Sequence, residues 1–198
     1  MKRCFIDTET TGINPKINGI WQVGGLVAID KKIVHRFLHT FLPHEGAVWD
    51  QVAREMVPPD ILHKIDHKEL PESREAFLDF KASVNYVNPR DKVDKFFFIG
   101  YNAYFDWQFL QEWFLQNDDK YFGSLFAYPP IDVACLAAEC LGEERLRMPN
   151  FKLHTVAARF GIQVKEQNLH NAAYDAELTK DIYCRIKSLE KEPVKIEK

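Results

Sequence analysis

The sequence predicts an α/β fold, a mixed sheet flanked by helices. Three observations carry this: strand-like apolar runs come first, a run apolar on both faces follows later, and from there helical and strand patterns alternate. A chain of 198 residues, 46% of them hydrophobic, can bury a full core without disulfides or structural metal. Residues 1–190 are expected to form a single domain.

Cys4-Phe5-Ile6 has the length and apolarity of a short buried strand, Ile20 to Ile29 of a second, and Ile33 to Leu42 of a third. Asp30-Lys31-Lys32 supplies the turn between the last two, so the chain opens as an antiparallel meander. After Pro43 the pattern weakens through Pro58-Pro59 and Pro71. Between about Glu72 and Val87, Ala76, Phe77, Phe80 and Val84 form a helical stripe. Phe96-Phe97-Phe98-Ile99, apolar on both faces, belongs at the centre of the sheet. A helix is expected from Tyr104 to Gln116, a short strand before Asp132, a helix from Val133 to Leu141 broken at Gly142, and a helix from Leu153 to Phe160. A last helix runs from about Asn171 to Leu189, with Leu178, Ile182, Ile186 and Leu189 inward. Residues 191–198, charged and holding Pro193, are expected to be a short frayed tail.

The formal charge of −3 excludes a protein that coats nucleic acid by bulk positive charge, so any such contact must be local. Cys4, Cys135, Cys140 and Cys184 show no zinc-type spacing and are expected to be reduced and structural. With no signal peptide and no apolar run of membrane-spanning length, the protein is expected to be cytoplasmic, with no membrane partner.

Four carboxylates stand in unusual places. Asp7 and Glu9 follow the first strand directly, and in extended backbone residues two apart share a face, so both can converge on one point above the sheet. The bare spacing is weak, since Asp175-Ala176-Glu177 repeats it on a helix, where the two side chains diverge. What distinguishes the first pair is the strand end and the following turn, Thr10-Thr11-Gly12, whose glycine lets backbone approach a ligand; ordinary solvated turn residues are the alternative. Asp106 lies one turn before Phe109, Leu110, Trp113 and Phe114 on the same helical face and should point inward, where a carboxylate is costly unless paired, hydrogen-bonded or metal-bound. Interaction with the helix dipole would explain its position along the helix but not its face. Asp175 stands in the same way at the head of the last inward stripe. Four gathered anions need cations, and oxygen-only donors favour Mg²⁺ or Mn²⁺ over zinc. His170 can join this cluster only from the loop before the last helix, with Asn171 near the N-cap. His35, His39, His44, His63, His67 and His154 have no comparable acidic surroundings.

Phe5-Ile6-Asp7-Thr8-Glu9-Thr10-Thr11-Gly12, Gly100-Tyr101-Asn102-Ala103-Tyr104-Phe105-Asp106 and His170-Asn171-Ala172-Ala173-Tyr174-Asp175-Ala176 resemble, in order and spacing, the three motifs of the DEDDh 3′→5′ exonucleases. That family includes the proofreading subunit of bacterial replicative DNA polymerase and small stand-alone nucleases. Ile131-Asp132 and the segment from Lys152 to Ile162 resemble further landmarks. The sequence departs from the family at Tyr101, where a His is common, and at Gln22, where a Glu is common.

The resemblance implies a ribonuclease-H-like mixed five-stranded sheet, three strands antiparallel, flanked by helices. It implies two divalent cations, Mg²⁺ or Mn²⁺, held by Asp7, Glu9, Asp106 and Asp175, with His170 as general base. Thr10, Thr11, Gly12, Asn102 and Phe105 would meet the terminal nucleotide. Tyr101, Trp107 and Tyr174 would stack on bases or pack, and Lys152, Arg145, Arg147 and Arg159 are candidate phosphate contacts. The implied activity is hydrolysis of DNA from 3′ ends, single-stranded or frayed ends preferred, to nucleoside 5′-monophosphates. Action on RNA ends is the alternative, and a silent binding module a weaker one. No polymerase-binding extension follows the last helix, so a stand-alone enzyme is expected.

Overall fold

The computed structural model describes residues 1–88 and 90–189, and the expected tail at 191–198 lies outside them. Five strands form one sheet: β1 (Lys2–Thr10), β2 (Ile20–Ile29), β3 (Lys32–Thr40), β4 (Phe96–Gly100) and β5 (Phe126–Asp132), in the order β3-β2-β1-β4-β5. β2 runs antiparallel to both β1 and β3, and β4 and β5 run parallel to β1. Asp30 and Lys31 close the β2–β3 hairpin with both φ angles positive, the geometry of a two-residue turn that matches strand twist. β5 is an edge strand, which accommodates Pro129 and Pro130 because neither has an N–H to offer a ladder.

β1 is longer than the sequence pattern predicts, because the polar residues after Ile6 continue the ladder: Asp7 pairs with Gly24, Thr8 with Val23 and Glu9 with Gln22. Asp7 and Glu9 are therefore inside a strand rather than just beyond it. Alternation along β1 serves two cores. Cys4 and Ile6 pack under α3 (Ser73–Ser83) and α4 (Ala103–Gln116), with Phe77, Phe80, Trp113 and Phe114. Phe5 faces the other way, toward α6 (Val133–Leu141), α7 (Leu153–Arg159) and α8 (Ala172–Leu189), with Val133, Val156, Leu178 and Ile182.

Two helices lie where the pattern fades, α1 (Gln51–Met56) and α2 (Pro59–Asp66); α2 packs Ile61, Leu62 and Ile65 into a small cluster with Trp21, Leu42 and Val57, whereas α1 buries none of its residues. Six and eight residues are too few for a periodic stripe to stand out, and α2 opens on Pro59 at its first position, where proline's fixed φ suits a helix start. α5 (Phe122–Leu125) is a single turn ahead of β5. Three expectations about burial are corrected. Cys135, Cys140 and Cys184 are exposed, so of the four free thiols only Cys4 is a core residue. Phe97 is 38% exposed, so β4 is not apolar and buried on both faces throughout. Leu189, at the last turn of α8, is also exposed.

Candidate active site

The predicted acids meet at the edge where β1 ends. Asp7 and Glu9 share the face of Phe5, whereas Thr8, pointing to the opposite face, reaches α4: its backbone N–H and hydroxyl both donate to Asp106 Oδ1, at 2.9 and 2.7 Å. Asp106 is 2% exposed, as its place on the apolar face of α4 requires. The start of α4 is set by Asn102, which adopts a left-handed backbone (φ 60°). The Asp132 carboxylate accepts from the N–H groups of Asn102 and Ala103 (3.2 and 3.1 Å) and, at the head of α6, from those of Ala134 and Cys135 (2.8 and 3.3 Å). One side chain thus caps two helices and holds Asp106 in place. The sequence marks Asp132 as a landmark without this role; a strand-ending Asp before a helix is the available signal.

On the other face, α8 brings in Asp175. Its first turn rests on β2 so closely that a Cβ on Gly24 would lie 2.2 Å from the Ala173 nitrogen, so only glycine fits there. His170 stands in the loop before α8 with φ +62°, as its convergence with Asp175 demands, and its N–H donates to Asp175 Oδ2 at 3.2 Å. The Asn171 side chain accepts from the Tyr174 N–H at 3.2 Å. One ligand atom from each of Glu9, His170 and Asp175 lies within 4.8 Å of the others. Asp7 is not in that triplet but responds electrostatically to Asp106, Glu9 and Asp175.

Burial raises all four carboxylates of this cluster, and repulsion from the other site acids raises Asp7 and Glu9 further. Burial is the largest cause in each case: Asp7 is pushed well above the ordinary range, Glu9 up to about 8, Asp106 to about 7 despite the opposing Thr8 bonds, and Asp175 to about 6. His170 is lowered, first by burial and then by its electrostatic interaction with His154 and Lys152. His154, set aside from the sequence, therefore belongs to the surroundings of the site. Asp175 Oδ1 is buried without a hydrogen-bond partner among the described residues. An orphaned carboxylate oxygen beside Glu9, in a cluster where Asp7 and Glu9 feel the charges of Asp106 and Asp175, fits a hard divalent cation.

Beside Glu9 opens a cleft of about 280 Å³ bordered by Thr10, Gly12, Asp50, Met56 and Phe105. Of the residues expected to meet a terminal nucleotide, Thr10, Gly12 and Phe105 are at this cleft; Thr11 and Asn102 are not. Thr11 is fully buried and its hydroxyl is committed, donating to the Val48 carbonyl (2.6 Å) and accepting from the Gly19 N–H (2.9 Å). The Thr10 hydroxyl donates to the Gly12 carbonyl at 2.6 Å. Gly12 has a packing reason as well, since a Cβ would meet Asp50 Oδ2 at 2.3 Å and Asn18 Cγ at 2.6 Å. The stacking candidates pack instead. Tyr101 donates to the Phe151 carbonyl (2.7 Å), Trp107 is buried edge-on to Phe98 and Phe122, and the Tyr174 hydroxyl accepts from the Lys165 N–H (2.7 Å). Arg159 is paired with Glu144.

Comparison with known proteins identifies the class: the exonuclease family model matches residues 4–183, and the chain belongs to that family. With that family it is a metal-dependent 3′→5′ exonuclease. Among its relatives, Ribonuclease T of Marinobacter nauticus is 27% identical over 190 residues, covering 91% of this chain and 80% of that one. The PolC-type DNA polymerase III of Thermotoga petrophila is 25% identical over 182 residues, which are 91% of this chain but 11% of the polymerase. In fold the chain matches the zinc-bound complex of E. coli exonuclease I with single-stranded DNA, at a TM-score of 0.72 and 16% identity over 96% of this chain and 41% of that one. Exonuclease I with a dT13 oligonucleotide matches at 0.69 and 17% identity, covering 97% of this chain and 42% of that one.

Proposed function

We propose that this chain removes nucleotides one at a time from DNA 3′ ends, single-stranded or frayed ends preferred, releasing nucleoside 5′-monophosphates with two Mg²⁺ or Mn²⁺ ions. The observation that carries this reading is the convergence of Asp7, Glu9, Asp106 and Asp175, all with raised pKa, beside a cleft on one side of Glu9. Asp7, Glu9, Asp106 and Asp175 hold the cations. When bound, these would activate water and stabilise the leaving 3′ oxygen.

The chain's own groups supply the rest. Thr8 fixes Asp106 through two hydrogen bonds, so that carboxylate needs no reorganisation during reaction. His170, its pKa lowered by burial and by the nearby His154 and Lys152, accepts the proton of the attacking water at a ring nitrogen. Thr10, Gly12 and Phe105 line the seat of the terminal nucleoside, and Met56 gives that seat an apolar wall. A cleft of this size beside the acids suits a single unpaired terminus rather than a duplex. The two matched exonuclease I structures hold single-stranded DNA and a dT13 oligonucleotide, which supports a single strand as substrate.

A second reading, action on RNA 3′ ends, draws on the relatives named Ribonuclease T. A silent binding module would have no physical use for four clustered acids, two of them buried and two half-buried. Digestion of matched end-labelled DNA and RNA, single- and double-stranded, with Mg²⁺, with Mn²⁺ and with chelator, separates these readings. Faster shortening of single-stranded DNA from its 3′ end is expected; faster turnover of RNA transfers the conclusion to the second reading.

A further inference from the structure

Gln22 is nearly fully buried and belongs to neither the acid set nor the cleft beside Glu9. It nevertheless stands in the middle of a rung that crosses three strands: Glu9 on β1 pairs with Gln22 on β2, and Gln22 pairs with Thr40 on β3. Both ends of its amide are engaged. Nε2 donates to Thr40 Oγ1 at 2.8 Å, and Oε1 accepts from the Ala172 N–H at 3.0 Å. Ala172 opens α8, and its amide is one of the N–H groups that a helix start leaves without an internal partner. Two residues further along the same strand and face, Gly24 lets the Ala172–Ala173 backbone settle onto β2.

We infer that Gln22 is a positioning residue for the metal site: it pins the first turn of α8, and with it His170 and Asp175, at a fixed height above Glu9. The hydrogen bond to Thr40 orients the amide so that its oxygen faces Ala172. Without that bond, the flipped amide would present a second donor to a donor. The neutral side chain also spares the rung a further anion beside acids that already repel one another. Partners of this kind, which orient ligands without touching the metal, usually change metal affinity or activity by about 10–100-fold when lost.

This inference rests on the reading that the four acids hold the cations, and its test has a readout independent of turnover. Mg²⁺ and Mn²⁺ are titrated against the wild-type chain, Gln22→Met and Gln22→Glu, following thermal stabilisation, with kcat and KM measured on a single-stranded oligonucleotide. Met keeps the volume but accepts nothing from Ala172, so the metal midpoint is expected to rise and kcat to fall by about 10–100-fold, with KM for the oligonucleotide changed less than about threefold. Glu keeps the acceptor while adding an anion, and is expected to restore most of the midpoint and kcat lost in Met. If Gln22→Met does not fold, Thr40→Val, which removes only the orienting contact, should shift the midpoint upward by a smaller factor. A Met variant with midpoint and kcat within twofold of wild type overturns the inference. So does a Glu variant no better than Met, or, in the fallback, an unmoved midpoint in Thr40→Val. A wild-type chain that binds metal but cleaves nothing would count against the proposed function while leaving the midpoint test of Gln22 intact.

Discussion

Replacing Asp175 by Asn should make the metal-free protein more stable while destroying its response to metal. Asp175 is 9% exposed and its carboxyl is raised from an ordinary 3.8 to about 6, so ionising it costs more in the folded than in the unfolded chain. The sign follows from linkage. A folded pKa above the unfolded value means that stability is present at low pH and lost as pH rises through the folded pKa. A carboxyl raised this far loses about 3 kcal/mol of stability by pH 8, and roughly half of that by pH 5. This is an upper figure for the gain from that carboxyl alone, although removing the charge also relieves Asp7 and Glu9, which both feel it. The Asn oxygen can still accept the His170 N–H, and its amide can donate toward a neighbouring carboxylate where Oδ1 now has no partner. At about 2–4 °C per kcal/mol for a chain of this size, a rise in Tm of up to about 6–12 °C is expected at pH 8 and low salt in chelator, and clearly less at pH 5. Adding Mg²⁺ should raise the Tm of the wild type and leave the variant unmoved. Calorimetric melts of both proteins at the two pH values, with and without metal, measure these differences. A variant melting at or below the wild type at pH 8, or one still stabilised by Mg²⁺, refutes the reasoning.

Further predictions follow from the same geometry. His170→Ala should lower the rate by about two to four orders of magnitude while metal affinity by calorimetry changes little; loss of metal binding would make His170 a ligand of the Glu9–Asp175 group instead. Asp132→Ala, which uncaps α4 and α6 together, should cost about 1–3 kcal/mol in urea unfolding, and a variant as stable as wild type would show that the two caps are redundant. Gly24→Ala places a methyl group against helix backbone that cannot yield, so a loss of about 1–3 kcal/mol together with a weakened metal-dependent shift in Tm is expected. An unchanged melt and shift would mean that α8 is free to ride outward.

The sequence displays the site more fully than it displays the scaffold around it. Asp106 and Asp175 betray themselves because a carboxylate on an apolar helical face is costly, and that cost is legible in periodicity alone. Asp7 and Glu9 are legible in alternation, although the pattern cuts short the strand that carries them, since its continuation is polar and is fixed by pairing with β2. The helices α1 and α2 escape the pattern because six and eight residues hold too few apolar positions for a stripe to stand out, and α1 buries none of its own. Thr11 is expected at the substrate because its motif neighbours are there; only three-dimensional packing shows that its hydroxyl is spent on Val48 and Gly19. Asp132, Gln22 and His154 act through contacts with residues far along the chain, which no local window reports.

The central claim, a metal site that works only on a free 3′ end, is tested most directly with one strand in two forms. A 5′-labelled linear single-stranded DNA and its closed circular counterpart are incubated with the protein in Mg²⁺ and in chelator. Shortening of the linear strand in single-nucleotide steps, only with metal, with the circle left intact, is the expected result. Cleavage of the circle at a similar rate, or full turnover of the linear strand in chelator, would contradict it.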